Sequence, residues 1–217
     1  PGPSVGKLTP KMRSTAMILY WIYIVLTGLN FIFLIAGKMP LFEALCTALG
    51  TAGTGGFGIK NDSIASYSPY IQNVTTVFML LFGVNFGCYY LLLMKQFRNV
   101  FRDEELRLYF VIVVGSIIAI TCNLTGTYAT LEETVRHAAF QVSSIITTTG
   151  YATADFDLWP SFSKGILLLL MLCGACAGST GGGLKMIRVI LLLKSLRRNI
   201  RKVLNPRKVQ VIRNNDH

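Results

Sequence analysis

The sequence has little charge, little histidine and an odd number of cysteines. Only 14% of its 217 residues are charged, whereas soluble domains average about a quarter. Five cysteines, mostly inside apolar runs, do not make a disulfide framework. Cys173 and Cys176 have metal-ligand spacing, but no second pair or histidine cluster accompanies them, so both are expected to be buried thiols. These shortages argue against a soluble domain, a metal centre and a disulfide-bonded secreted protein.

Apolar residues are abundant instead, at 52% of the chain, and the mean hydropathy is +0.52. Uncharged apolar stretches cover residues 14–37, 69–94, 108–126 and 165–177. The first two exceed the roughly 20 residues that cross a hydrocarbon core of ~30 Å, and the third comes close. The sequence therefore predicts an all-α integral membrane protein with several spans.

The net charge of +11 is concentrated beside the predicted spans. Ten of the 21 basic residues lie between 185 and 213, four flank the joint after the second stretch, and three precede the first. Basic residues next to spans mark the cytoplasmic side of a membrane. No aromatic interleaving or nucleic-acid-binding module accompanies them, so nucleic acid is not an expected partner. The basic tail is expected to set orientation and to contact lipid or a cytosolic partner.

The same order of features occurs twice along the chain. Each unit has a span, a half-length helix, a Thr-x-Gly-aromatic segment, a polar turn, a proline and a second span. The matched glycines Gly56 and Gly150 are 94 residues apart, and both units start and end on the basic side. The sequence thus predicts two parallel span–pore-helix–span repeats with re-entrant loops. The predicted regions are a cytoplasmic loop (1–13), a first repeat (14–95), a cytoplasmic joint (96–107), a second repeat (108–196) and a basic cytoplasmic tail (197–217).

The Thr-x-Gly-aromatic segments have the properties of a cation filter. Non-helical backbone at membrane depth lines a cavity or is buried in protein, and a helix C-terminus directs negative potential towards it. Carbonyl and threonine oxygens there can replace the hydration shell of a cation. The first candidate filter segment is Thr54, Gly55, Gly56 and Phe57, and the second is Thr148, Thr149, Gly150 and Tyr151. Three acidic residues are expected at the outer mouth, namely Asp62, Asp155 and Asp157.

Three phrases together resemble the TrkH/KtrB superfamily of bacterial potassium transporters: "GTAGTGGFGIKNDSI", "FQVSSIITTTGYATADFDLWP" and "CGACAGSTGGGLKMIR". The resemblance implies a multi-pass protein of the bacterial inner membrane that transports K⁺, without a covalently bound cofactor and without enzymatic activity. It also implies four repeats around one ion path, a homodimer, and a cytosolic nucleotide-binding regulatory subunit. This chain would supply the second and third repeats, so it is expected to be part of a longer protein.

The resemblance also assigns a role to a second glycine-rich stretch. Its residues would form a loop that interrupts the last helix of the second unit below the filter and gates the path. This interrupting loop consists of Ala177, Gly178, Ser179, Thr180, Gly181, Gly182 and Gly183. Lys185 lies two residues after the loop, where an ammonium can face the ion path. A phosphate-binding loop is excluded because Leu184 separates Lys185 from the last glycine and no strand precedes it.

Plainer interpretations accompany these predictions. A glycine break can be a simple helix C-cap, and the outer aspartates can be turn formers or caps. Arg136 either tunes the filter electrostatically or forms an ion pair at a helix end. Two other classes of protein are a membrane-embedded enzyme and a non-conducting scaffold. The enzyme would need a base, nucleophile or metal set inside the membrane, and the sequence offers none.

Overall fold

The computed structural model describes residues 12–204, with side chains described for residues 16–200, and this part of the chain is helical. It contains no strand, only an isolated bridge between Cys173 and Leu184. Residues 1–11 of the predicted cytoplasmic loop and residues 205–217 of the predicted tail lie outside the described residues. The helices are α1 (Met12–Ala36), α2 (Leu41–Ala52), α3 (Pro69–Phe82), α4 (Phe86–Leu93), α5 (Phe97–Arg102), α6 (Glu104–Asn123), α7 (Leu131–Ile146), α8 (Ser161–Leu172) and α9 (Met186–Leu204), with a 3-10 turn at Phe156–Leu158.

Polar residues before the apolar runs start several of these helices. Ser68 accepts the N–H of Ile71 at 3.4 Å at the start of α3, where Pro69 occupies the first helical position. Thr130 accepts the N–H of Glu133 at 3.2 Å and so caps α7. Capping places each helix start at a defined residue because it satisfies backbone donors that have no intrahelical partner.

Two helices in the described residues are long and apolar enough to cross a membrane: Ala16–Ala36 within α1, and Glu104–Asn123. The pair α3 and α4 would be a third span if both halves count as one. Large apolar side chains such as Trp21, Val25 and Ile32 are exposed on α1. Such a continuous apolar surface suits contact with lipid tails.

The second predicted span is wrong as a single continuous helix. Residues 69–94 form α3 and α4, which are bent by 89° at a short break. At the break, the Asn85 side chain accepts the N–H of Gly87 at 2.8 Å and begins α4. Hydropathy did not reveal the bend, because the break at Gly83 to Asn85 is short and has an apolar run on either side.

The fourth apolar stretch also ends earlier than predicted. Helix α8 stops at Leu172, and α9 begins only at Met186, so the interruption is longer than the predicted loop at 177–183. Gly174 N–H donates to Leu184 O, at 2.6 Å, and this bond closes the base of the loop. At 12 residues α8 is about 18 Å long. It is therefore too short to cross a membrane alone.

The cytoplasmic joint and the third span are displaced relative to their predicted limits. Helix α5 lies inside the predicted joint, and α6 begins at Glu104 rather than at Leu108. Asp103 explains the earlier start because its carboxylate accepts the N–H of Glu105 and of Leu106, at 2.8 and 3.0 Å.

The two units pack against each other through a shared buried cluster. Phe140 of α7 and Tyr151 are fully buried there against residues of the first unit, including Ala48 of α2 and Met79 of α3. Helix α3 lies directly beside α7. This contact brings the two candidate filter segments to the same place.

Candidate functional site

The two candidate filter segments share an uncommon backbone conformation. Thr54 and Gly56 have φ values of +50° and +67°, and Thr148 and Gly150 have values of +58° and +91°. In both segments the residue between them keeps a negative φ. A β-branched residue rarely adopts positive φ, and such strain persists only where the surroundings impose it. The same alternation at matched positions indicates one backbone shape built twice.

The hydrogen bonds that lead into each segment are also matched. Gly55 N–H donates to Gly50 O at 2.7 Å, and Thr149 N–H donates to Ser144 O at 2.9 Å. Each bond spans five residues, and the donors and acceptors are 94 residues apart in the two units. Helices α2 and α7 therefore end in the same way, with their negative C-terminal ends directly before the candidate filter segments.

The two segments touch through their backbones. A Cβ atom on Gly56 would overlap the carbonyl oxygen of Thr149 and lie 2.8 Å from its carbonyl carbon. It would also lie 3.1 Å from the carbonyl carbon of Gly150. Only glycine allows this approach at this φ value. The corresponding face of Gly150 has no described atom within 4 Å of a Cβ position.

Ser144 is a site residue that the sequence analysis missed. Its hydroxyl donates to Tyr151 O at 2.6 Å and accepts the N–H of Gly150 at 3.1 Å. The side chain is fully buried, so it braces the second segment from behind. The feature of the sequence that could have identified Ser144 is its position in the last turn of the half-length helix, directly before the second segment. The matched residue of the first unit, Gly50, has no side chain that can play this part.

The aromatic residues of the two segments have different surroundings. Tyr151 is 1% exposed, and its hydroxyl donates to Thr47 O of α2 at 3.3 Å. Phe57, at the matched position, is 87% exposed. The second segment is therefore wedged against the short helix of the first unit, while the first segment has no such neighbour among the described residues.

The interrupting loop contacts both candidate filter segments. Thr54 Oγ1 donates to Thr180 O at 3.3 Å. Gly182 N–H donates to Thr148 Oγ1 at 2.6 Å. The first threonine of each segment thus holds the loop against the segments.

The bend between α3 and α4 holds the loop from the side. Cys176 N–H donates to Gly83 O, and Phe86 N–H donates to Gly178 O, both at 3.1 Å. The break in one unit therefore supplies backbone groups that the loop of the other unit uses. Residue Lys185 is half-buried, and its ammonium donates to Gly181 O inside the loop.

The outer aspartates take part in local turns. Asp155 Oδ1 accepts the N–H of Asp157 at 3.0 Å, and the Asp157 carbonyl accepts the ammonium of Lys164 at 3.1 Å. Asp62 is exposed in a turn. Asp155 therefore has the capping geometry that was the plainer interpretation.

Arg136 forms the helix-end ion pair that the sequence suggested. Its Nη1 lies 3.1 Å from Glu132 Oε1, one turn earlier on α7. His137 Nδ1 lies 2.9 Å from Thr153 Oγ1. Burial, reinforced by the Arg136 guanidinium, holds the pKa of His137 below its usual value. The contact between His137 and Thr153 joins α7 to the turn after the second segment.

Comparison with known proteins gives consistent matches. The family described as TrkH, cation transport protein, matches residues 4–215. The Trk system potassium uptake proteins TrkH of Halomonas elongata and of Escherichia coli (strain K12) are each 35% identical over 98% of the chain. TrkG of Escherichia coli (strain K12) is 36% identical over 95% of it. These relatives are named as potassium uptake proteins, not as enzymes.

A solved structure agrees with the sequence matches. The crystal structure of the potassium transporter TrkH from Vibrio parahaemolyticus has a TM-score of 0.87 and 31% identity over 96% of the chain. The match covers 46% of that chain. Likewise, the chain spans 44 to 45% of the length of the three curated relatives.

Proposed function

This chain belongs to the TrkH cation transport protein family, and we propose that the complete protein takes up K⁺ across a bacterial cytoplasmic membrane. The observation that carries the proposal is the matched pair of Thr-x-Gly-aromatic segments. Both have the same alternating backbone, and they meet where Gly56 packs on Thr149. K⁺ is the transported ion rather than a resident cofactor, and no covalent chemistry is involved.

The proposed mechanism is permeation past backbone oxygens. A K⁺ ion that sheds water at the filter is coordinated by carbonyls of Thr54 to Phe57 and of Thr148 to Tyr151, which replace its hydration shell. Alternating positive and negative φ values turn successive carbonyls towards one side, which supports this assignment. The C-terminal ends of α2 and α7 add negative potential at the same point. Exposed Asp62, Asp155 and Asp157 concentrate cations at the outer mouth.

The interrupting loop is the proposed gate. Its hydrogen bonds to Thr54 and Thr148 support a position directly beneath the filter, across the route of an ion leaving towards the cytoplasm. Conduction then requires the loop to release these two threonines. The ammonium of Lys185, bound to Gly181 O, moves with the loop and adds a positive barrier to the closed state.

Two segments do not surround an ion, so the proposal includes two further repeats outside this sequence. Two open positions in the described part of the chain support it. Phe57 is exposed where Tyr151 is buried by a neighbouring unit, and the face of Gly150 is open where that of Gly56 is covered. Further repeats that pack as these two do would fill both positions. We also propose a homodimer and a cytosolic nucleotide-binding regulatory subunit as partners of the complete protein.

The test is Gly150→Ser in the complete protein, measured in K⁺-loaded liposomes. We expect weaker discrimination of K⁺ from Na⁺, because a side chain at a φ of +91° distorts the filter backbone. Gly115→Ser is the matched control, since Gly115 lies in α6 with open space around its Cβ position. Unchanged ⁸⁶Rb⁺ uptake and selectivity in Gly150→Ser would refute the filter assignment. A wild-type protein without cation flux would refute the transport function and leave a scaffold.

A further inference from the structure

A buried carboxylate connects the two ends of the segment that contains the interrupting loop. Glu105, in the first turn of α6, is 5% exposed. Its Oε1 accepts the N–H of Ala177 at 2.7 Å and the N–H of Ile187 at 3.0 Å. Ala177 is the first residue of the loop, and Ile187 lies in the first turn of α9. A single side-chain oxygen atom therefore bridges the two ends of the segment from Ala177 to Ile187, which contains the interrupting loop.

The position of this carboxylate is compensated chemically. A buried carboxylate is costly without hydrogen bonds, and the first N–H groups of a helix have no partner within it. The hydrogen bond from the N–H of Ile187 satisfies both requirements: it compensates the buried carboxylate, and it gives a donor of the first turn of α9 an acceptor at the positive end of the helix dipole. The Lys185 ammonium also interacts electrostatically with it.

The backbone of Glu105 is held in place independently of the loop. Asp103 Oδ1 accepts the N–H of Glu105 at 2.8 Å and so fixes the start of α6. The neighbouring Glu104 pairs with Lys194, about two turns along α9. The start of α6 thus binds both the interrupting loop and α9.

We propose that Glu105 is a positioning residue that latches the interrupting loop in its closed place, and that displacement of α9 releases the latch. The inference depends on the proposed role of the loop as the gate. The other loop contacts described above, to Thr54, Thr148 and the α3–α4 bend, join neutral groups. Hydrogen bonds to a carboxylate are roughly twice as strong, and the Lys185 ammonium bonds to Gly181 O within the same segment, so Glu105 supplies the charge-assisted contacts that hold the loop to α6.

The latch couples the cytoplasmic helix to the gate. When α9 moves away from α6, the N–H of Ile187 leaves Oε1 first, because Ala177 is on the loop and not on the helix. The carboxylate is then left buried with a single donor. This loss favours a further movement of the loop away from the filter threonines. A force applied to α9 from the cytosol therefore reaches the ion path through Glu105.

The experiment compares three variants of the complete protein in liposomes: Glu105→Ala, Glu105→Gln and Glu104→Gln. Two readouts are taken, namely ⁸⁶Rb⁺ leak and the rate at which N-ethylmaleimide labels Cys176, followed by mass spectrometry of its peptide. Cys176 precedes the loop and is fully buried. Its labelling reports loop position whether or not ions flow.

We expect Glu105→Ala to raise the leak and the labelling rate at least about tenfold, the factor that corresponds to one lost charge-assisted hydrogen bond. Glu105→Gln keeps an oxygen acceptor at Oε1 but loses the charge, so its values are expected to lie between those of wild type and of Glu105→Ala. Glu104→Gln weakens the pair with Lys194 on α9 but leaves both amides bound to Glu105, so its values are expected to rise much less than those of Glu105→Ala.

Wild-type leak and labelling in a folded Glu105→Ala protein would overturn the latch. An equal rise in Glu104→Gln would also overturn it, since the effect would then come from charge at the helix start. Faster labelling without a leak supports the latch but refutes the loop as the gate. If Glu105→Ala does not yield folded protein, Glu105→Asp replaces it, because the shorter side chain cannot reach both amides. Equal labelling of Asp and Gln variants then overturns the proposal.

Discussion

Substituting Gly56 with alanine tests the contact on which the site depends. Positive φ costs a non-glycine residue about 1–2 kcal/mol. The new Cβ also overlaps the Thr149 carbonyl oxygen, and neither backbone can rotate away as a side chain would. Overpacking of this kind costs a further ~1–3 kcal/mol or more. We therefore expect Gly56→Ala to destabilise the complete protein by about 2–5 kcal/mol.

The same substitution should weaken ion selectivity. The overlap can be relieved only if the two candidate filter segments separate, and binding groups work within a tolerance of about 0.5 Å. We expect the ratio of K⁺ to Na⁺ permeability to fall at least about tenfold, equivalent to ~1.4 kcal/mol.

Thermal unfolding of the detergent-solubilised protein and cation flux in liposomes measure the two effects. Gly115→Ala is the matched control, because its Cβ meets nothing within 4 Å and its φ is negative. Alanine in a helix interior should leave that variant as stable as wild type or slightly more stable. A Gly56→Ala protein with the melting temperature and selectivity of the control would refute the packing of the two segments.

Three further predictions concern the surroundings of the site. Tyr151→Phe removes the hydrogen bond to Thr47 O and should cost about 1 kcal/mol in thermal unfolding. Thr148→Ala removes the acceptor of Gly182 N–H, so the loop should loosen and ⁸⁶Rb⁺ leak should rise several-fold. His137 has a lowered pKa because of burial, so the folded protein favours its neutral form. Its contribution to stability is complete above its usual pKa of 6.5 and is lost as the pH falls below that value, which melting curves between pH 5 and 8 (roughly the range in which histidine titrates) can follow.

Matched variants separate these effects from general damage. His137→Gln should remove the acid-dependent part of the melting curve, and an unchanged pH profile would contradict the assignment. Thr125→Ala alters an exposed threonine on the loop after α6, where we expect no leak. A leak in that variant equal to the leak in Thr148→Ala would contradict the loop contact. A Tyr151→Phe protein as stable as wild type would show that the wedge against α2 is purely apolar.

Local chemistry made much of the fold predictable. The half-length helix before each candidate filter segment follows from a short apolar run ending in glycine or threonine, and α2 and α7 lie there. Caps such as Thr130 follow a local hydrogen-bonding rule that needs no other part of the chain. These features involve neighbours within a few residues, so the sequence alone specifies them.

The bend at Gly83 and the early end of α8 were not predictable from hydropathy. Both segments continue as apolar runs, and no proline interrupts either of them. The broken backbone becomes acceptable only because Cys176 N–H donates to Gly83 O and Phe86 N–H donates to Gly178 O across the two breaks. These bonds join residues about 90 positions apart, which a local pattern cannot reveal.

The sequence by itself determined that this protein is helical, suited to a membrane, and built from a feature that occurs twice. Composition and short-range hydrogen bonding suffice for that. Only the tertiary structure decided that Gly56 lies against Thr149, that Tyr151 is buried while Phe57 is exposed, and that Glu105 binds both Ala177 and Ile187. These are contacts between distant residues whose polar groups must be satisfied away from water. Their partners depend on how the helices pack, because each isolated segment would leave them unpaired.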